Sequence, residues 1–309
     1  MLDTCMIPER LKAGDCIGII SPSGAMEKER MGQFEHGRAF FEKHEFKVIL
    51  AKNALSNSLG YSASPAEKAE DLNSMFKDNS IKAIICSQGG QNSNSILPLL
   101  DFKSIAKNPK IFLGISDITV LLNAIYSRTG LVTFHGNDLV WGFGRNPTAY
   151  DILEFDDRLV GGKTGLITKN SEWICVREGN AKGVLIGGSI NCMNKLVGTK
   201  FAPDFKGKIL FLESYGEGRT ADELDGQIQR LKQSGAFEKI KGLWLGYYKS
   251  KDNFAIETVV QNSLKEFDFP ILKCNDFGHN TPNTTIPIGV KAELDADKRT
   301  LEILEKCVK

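Results

Sequence analysis

Short apolar blocks alternate with amphipathic stretches through the first half of the chain. Cys16–Ile20, Lys47–Leu50, Ile81–Cys86, Ile111–Ile115 and Leu131–Phe134 read as buried strands. Met31–His44, Ala66–Lys77 and Ile118–Ser127 between them carry helical spacing. Ser64-Pro65-Ala66-Glu67 has the form of a capping box with proline at the first helical position. Strand–helix–strand repetition of this kind predicts a parallel sheet covered on both faces. The pattern weakens around Asn146–Gly165 and then resumes. Strands are expected near Ile174–Arg177, Lys208–Glu213, Gly242–Gly246, Ile271–Cys274 and Ile286–Leu294, with helices near Ile190–Val197, Ala221–Gln233 and Ala255–Phe267.

The chain has 309 residues, more than one core usually organises. The expected fold is therefore α/β with two domains: a Rossmann-like parallel-sheet domain over 1–160 and a second mixed α/β domain over 161–309. Lys plus Arg number 39 against 38 Asp plus Glu, so no net field draws the chain to nucleic acid or anionic lipid. Seven cysteines without a C-x-x-C pair fit reduced thiols in the cytosol better than a disulfide framework or a zinc site. The first ten residues lack the apolar run of a signal peptide, and no apolar stretch reaches transmembrane length.

Open parallel sheets carry their sites at the carboxyl ends of strands. Three such ends stand out. Lys110–Ile115 ends in Ser116-Asp117 and a helix follows, a layout close to a nucleophile elbow but without the second glycine of G-x-S-x-G. Read alone, this segment favours Ser116 or Asp117 as a simple helix cap. Ile84–Cys86 leads into Ser87-Gln88-Gly89-Gly90-Gln91-Asn92-Ser93-Asn94, a loop in which paired glycines let backbone approach a ligand. It carries no lysine of a phosphate loop. Ile209–Leu212 ends in Glu213, a carboxylate that follows four apolar residues and serves either a site or a domain-interface ion pair.

A hydrolytic serine needs a base, and the chain has four histidines. His36 and His44 lie in a charged helical stretch. His135 follows Leu131–Phe134, and His279 lies in the polar loop after Ile271–Cys274. Ser116, Glu213 and His279 together supply nucleophile, orienting acid and base in the order Ser, acid, His.

Taken in order, these segments resemble the LD-carboxypeptidase and microcin C immunity family of serine peptidases over nearly the whole chain. The likeness is carried by Gly14–Ser23, Gln88-Gly89-Gly90, Gly114-Ile115-Ser116-Asp117, Leu185-Ile186-Gly187-Gly188, Leu210–Glu213 and Gly278-His279. The resemblance implies Ser116 as nucleophile, His279 as general base and Glu213 as its orienting acid. It implies the backbone N–H groups of Gly90 and Asp117 as oxyanion hole, a homodimer, and no metal or organic cofactor. The loop Gly89–Pro98 is closer to the microcin-immunity branch, which hydrolyses amides joining an acidic residue to a nucleotide. On that branch Gly89, Gln91, Asn92 and Trp173 are the expected substrate contacts, with Trp173 either stacking on a base or packing in the core. Ser189 stands where the family commonly has Asn, and Gly161–Asn170 is shorter than that branch leads one to expect. The expected function is hydrolysis of peptidyl- or aminoacyl-adenylate amides, with a murein tetrapeptide LD-carboxypeptidase as the alternative. A two-lobed binding protein and a kinase built on Gly89-Gly90 are the rivals from other classes.

Overall fold

A computed structural model describes residues 5–215, 219–248, 250–279 and 282–309. Fourteen strands among them form two sheets. They are β1 (Cys16–Ile20), β2 (Lys47–Leu50), β3 (Ile81–Cys86), β4 (Ile111–Gly114), β5 (Thr133–His135), β6 (Gly165–Leu166) and β7 (Ile174–Arg177). Next come β8 (Asn180–Ser189), β9 (Lys208–Glu213), β10 (Gly242–Leu245), β11 (Ile271–Lys273), β12 (Ile286–Ile288), β13 (Lys291–Asp295) and β14 (Thr300–Ile303).

The first sheet runs β12-β5-β4-β3-β1-β2 and is parallel except for β12. Its inner strands are the continuous apolar runs expected of a sheet covered on both faces: β3, β4 and β5 are buried almost throughout. The second sheet runs β6-β14-β13-β8-β9-β10-β11-β7. Its central strands β8 to β11 are parallel, flanked by antiparallel pairings. No helix among the described residues is long and apolar enough to cross a membrane.

Local chemistry fixes the helix ends. Ser64 and Glu67 form a reciprocal capping box with Pro65 in the first turn of the helix Pro65–Lys77, a device worth about 1 kcal/mol. That helix turns Leu72, Met75 and Phe76 into the core. Thr148 and Asp151 build a second box at the helix Ala149–Phe155, an element the weak pattern around Asn146–Gly165 did not predict.

Two departures from the sequence reading bear on the architecture. The expected strand Ile286–Leu294 is two strands. The chain turns at Gly289, so β12 pairs with β5 of the first sheet and β13 with β8 of the second. The second half of the chain therefore contributes an edge to the first sheet, and a cut at 160/161 does not separate the sheets completely. The longest strand, β8, was not expected as a strand, because Gly183, Gly187 and Gly188 dilute its apolar pattern.

Candidate active site

Ser116 lies at the end of β4, where the chain turns from strand to helix. Ile115 is extended, Ser116 has φ +62°, and a single turn leads into the helix Thr119–Thr129. A left-handed conformation is unfavourable for a residue with a Cβ and persists where the surroundings impose it. The imposed result is a partly exposed hydroxyl ahead of a buried helix. Gly89 packs directly against it: a Cβ on Gly89 would lie 2.6 Å from the Ser116 Cβ and 2.8 Å from its Oγ. Any side chain at 89 would thus collide with Ser116.

Asp117 is fully buried, and neither it nor Ser116 caps the helix with its side chain. The cap reading is replaced by a brace. The Asp117 carboxylate accepts from Ser23 Oγ at 2.6 Å, from the Ser93 N–H at 2.7 Å and from Lys195 Nζ at 2.5 Å. Ser93 Oγ donates to the Asp117 carbonyl at 2.7 Å. Burial opposes the charged form of Asp117, but the Lys195 ammonium and these donors hold its pKa below the ordinary value. Lys195 comes from the helix Ile190–Leu196, which follows β8, so the brace joins the serine turn to the second sheet.

Glu213 ends β9 and is fully buried. Its Oε2 lies 2.7 Å from His279 Nδ1. Burial penalises both charged forms, yet the pair overrides it: the imidazole pKa is raised and the carboxyl pKa lowered. With Nδ1 committed to Glu213, Nε2 is left for chemistry. The register places Ser189 opposite Glu213, and the Ser189 N–H donates to Thr119 Oγ1 at 3.0 Å. The Glu213 strand end thus abuts the helix that begins beside Ser116. Asp138 acts electrostatically on His279 and is faced by the Gly89 N–H. The serine turn, the glycine loop and the His279 loop therefore converge on one region.

The remaining histidines separate clearly. His135 is fully buried between Phe211 and Phe277, neither ring nitrogen has a partner, and burial pushes its pKa down to about 4. It is a neutral core group. His36 is exposed, and His44 Nδ1 lies 2.7 Å from the Phe40 carbonyl on the same helix.

Among the expected substrate contacts, Gly89 and the exposed Gln91 lie on the glycine loop, and the Gln91 carbonyl accepts from Lys195 at 2.8 Å. The Asn92 side chain accepts from the buried Lys68 at 3.0 Å, so it already has a structural partner. The stacking role for Trp173 is corrected. Trp173 is 3% exposed, packs on Trp244 at 5.6 Å and donates from Nε1 to Asp276 Oδ2 at 2.6 Å. It is anchored in the core and offers no free face. One exposed aromatic beside the site is Tyr215, whose ring centroid lies 5.1 Å from that of His279. Its position two residues after Glu213 was the available signal. A cleft of about 480 Å³ alongside is lined by Lys195, Arg219 and Arg230 with Glu223 as the acid. Arg219 also bears electrostatically on His279. Among the described residues no cluster of His, Cys, Asp and Glu is arranged to hold a metal ion.

A strand-to-helix serine in strained backbone, on an α/β scaffold that also pairs a histidine with a buried carboxylate at a neighbouring strand end, has the build of a serine hydrolase. Comparison with known proteins makes the class specific. The model for the LD-carboxypeptidase N-terminal domain matches residues 17–136, and that for the C-terminal domain matches residues 182–294. The chain belongs to the LD-carboxypeptidase family of serine peptidases. It is 31% identical to the probable murein peptide carboxypeptidase of Bacillus subtilis over 96% of this chain and 93% of that protein. It is 30% identical to the microcin C7 self-immunity protein MccF of Escherichia coli over 96% of this chain and 95% of that protein. Among solved structures, MccF in complex with glutamyl sulfamoyl guanosine superposes with TM-score 0.91 at 27% identity, covering 98% of this chain and 99% of the other. An MccF-like protein from Bacillus anthracis gives 0.87 at 31% identity, covering 97% and 99%.

Proposed function

We propose that Ser116, His279 and Glu213 act as a catalytic triad that cleaves an amide near the carboxyl end of a small peptide-like substrate. The observation that carries this reading is the His279–Glu213 hydrogen bond at a strand end that abuts the helix following a strained, glycine-backed serine. His279 Nε2 takes the Ser116 proton as Oγ attacks the carbonyl carbon, and the carbonyl π electrons move onto oxygen. The N–H groups of Gly90 and Asp117 hold that oxyanion. The imidazolium returns the proton to the leaving amine, and water releases the acyl group by the same steps. Glu213 fixes the imidazole and stabilises its charged form without itself being protonated. No metal or organic cofactor enters these steps.

For substrate, the reading is hydrolysis of an acidic aminoacyl- or peptidyl-adenylate amide. Solved MccF relatives hold aspartyl sulfamoyl adenosine and glutamyl sulfamoyl guanosine. Tyr215 supplies an exposed ring for a base, and the cleft with Lys195, Arg219 and Arg230 suits an anionic linkage. Murein tetrapeptide carboxypeptidase is the second reading, favoured by the 31% identity to the B. subtilis protein; the same cations suit a terminal carboxylate. The reading includes a nucleophile domain over 1–160, a C-terminal domain over 161–309, and a homodimer in the cytosol. The seven free thiols support that compartment. Purified protein given aspartyl sulfamoyl adenosine and a murein tetrapeptide side by side should turn over the nucleoside amide faster. Preference for the tetrapeptide would transfer the assignment to the second reading.

A further inference from the structure

The site contains a second buried carboxyl that the proposed triad does not use. Asp138 is 1% exposed and lies in the loop that follows β5. Its Oδ1 accepts from the Trp141 N–H at 2.7 Å and the Gly142 N–H at 3.2 Å, and the Gly89 N–H faces the same carboxyl. The neighbouring N–H groups of Leu139 and Val140 donate to the carbonyls of Cys86 and Ser87 at 3.1 and 2.9 Å. The loop is therefore sewn to the segment that leads into Gly89. Gly89 in turn bears on Ser116, and Gly90 is so tightly seated that a Cβ there would collide with Ser23 and Gly24. Any shift of Gly89 is passed to the serine and to the Gly90 N–H together.

Two titratable groups face Asp138. One is the buried Cys86 thiol, which burial and this carboxyl push well up, so it stays protonated. The other is His279, which is bonded to Glu213 and on which Asp138 and Arg219 act electrostatically with opposite sign.

We infer that Asp138 is a positioning residue for the reaction, holding the loop after β5 so that the glycine loop is clamped against Ser116. The inference rests on the triad reading. Burial raises the Asp138 carboxyl to about 7 against the pull of its N–H donors and His279. It therefore gains its charge in the range where a histidine base titrates.

The test compares Asp138→Ala with Asp138→Asn. Turnover, the pH dependence of kcat/KM and labelling of Ser116 by a fluorophosphonate are measured on folded protein. Asparagine keeps an oxygen for the Trp141 and Gly142 N–H groups but loses the charge. Asp138→Ala should lower kcat about a hundredfold with KM little changed, the scale of a misplaced oxyanion donor. Asp138→Asn should recover to within about fivefold of wild type, with the rise in kcat/KM moved to lower pH because His279 loses a neighbour that favours its protonated form. An Asn variant as slow as Ala, or a pH profile that does not move, would overturn the inference. Should the Ala variant not fold, the pH shift of the Asn variant decides alone. Wild-type protein that is not labelled at Ser116 would sink the triad reading itself. Normal labelling with an unmoved profile would sink only the role of Asp138.

Discussion

Two histidines of this molecule, one ending β5 and one in the loop beyond β11, are treated oppositely by their surroundings. At the end of β5, His135 is fully buried among Phe211 and Phe277 with both ring nitrogens unpartnered, and its pKa falls to about 4. Beyond β11, His279 also suffers burial, yet the Glu213 carboxylate at 2.7 Å reverses the sign and raises its pKa. Burial alone leaves an imidazole neutral; a carboxylate on Nδ1 orients the ring and favours its charged form. The partner defines the role, and it sits 66 positions away in sequence.

The largest effect that bears on this contrast is loss of the proposed nucleophile. Ser116→Ala should lower kcat on the order of a millionfold with an unchanged thermal midpoint, measured on a substrate the wild type turns over. A near-wild-type rate would remove the site from this region of the fold. His279→Ala should be nearly as severe, because without it Ser116 has no acceptor for its proton. Glu213→Gln should cost about ten-thousandfold in kcat, the scale seen when a triad acid loses its charge and the imidazole its correct tautomer. A loss of only a few-fold would mean that the Glu213 pair is structural, and the two histidines would then differ less than their surroundings imply.

Smaller effects sharpen the same comparison. His135→Leu, close in volume and apolar, should change kcat by less than about threefold, because the ring is not placed for general-base work that is worth at least a hundredfold. It should hold or raise stability, since an unsatisfied buried polar group is removed. Trp173→Phe should leave kcat alone and cost about 1–3 kcal/mol of stability, since Asp276 loses a buried donor, read by urea unfolding. A selective loss on nucleoside substrates would instead restore Trp173 to the binding site.

The pH profile follows from the signs. His279 must be neutral to accept the serine proton, and its pKa is raised by Glu213. The rise in kcat/KM should therefore be centred above the ordinary histidine value of about 6.5. Glu213→Gln should move that rise to lower pH as well as lowering its plateau. A rise that ignores Glu213 would assign it to another group.

Much of the first sheet was legible because its strands are unbroken apolar runs, and β1, β2 and β3 begin and end where the runs do. The three strand ends were legible for the same reason, since a polar residue following such a run has few places to go. What sequence could not display was contact across distance. Lys195 meets Asp117 across 78 positions and Trp173 meets Asp276 across 103, so neither the brace nor the anchoring of Trp173 leaves a local trace. Asp138 reads locally as a loop acid, and only the fold brings it beneath Gly89. Strand β8 was hidden by its glycines, which packing requires: a Cβ on Gly188 would collide with Thr119, in the first turn of the helix that follows Ser116.

The central claim, that Ser116 is activated by His279 and not by His135, is tested most directly by fluorophosphonate labelling followed by peptide mass spectrometry. The wild type and His135→Leu should each take up one label at comparable rates, located on Ser116, while His279→Ala should remain unlabelled over the same period. Labelling that persists in His279→Ala, disappears in His135→Leu, or falls on another residue would contradict the account.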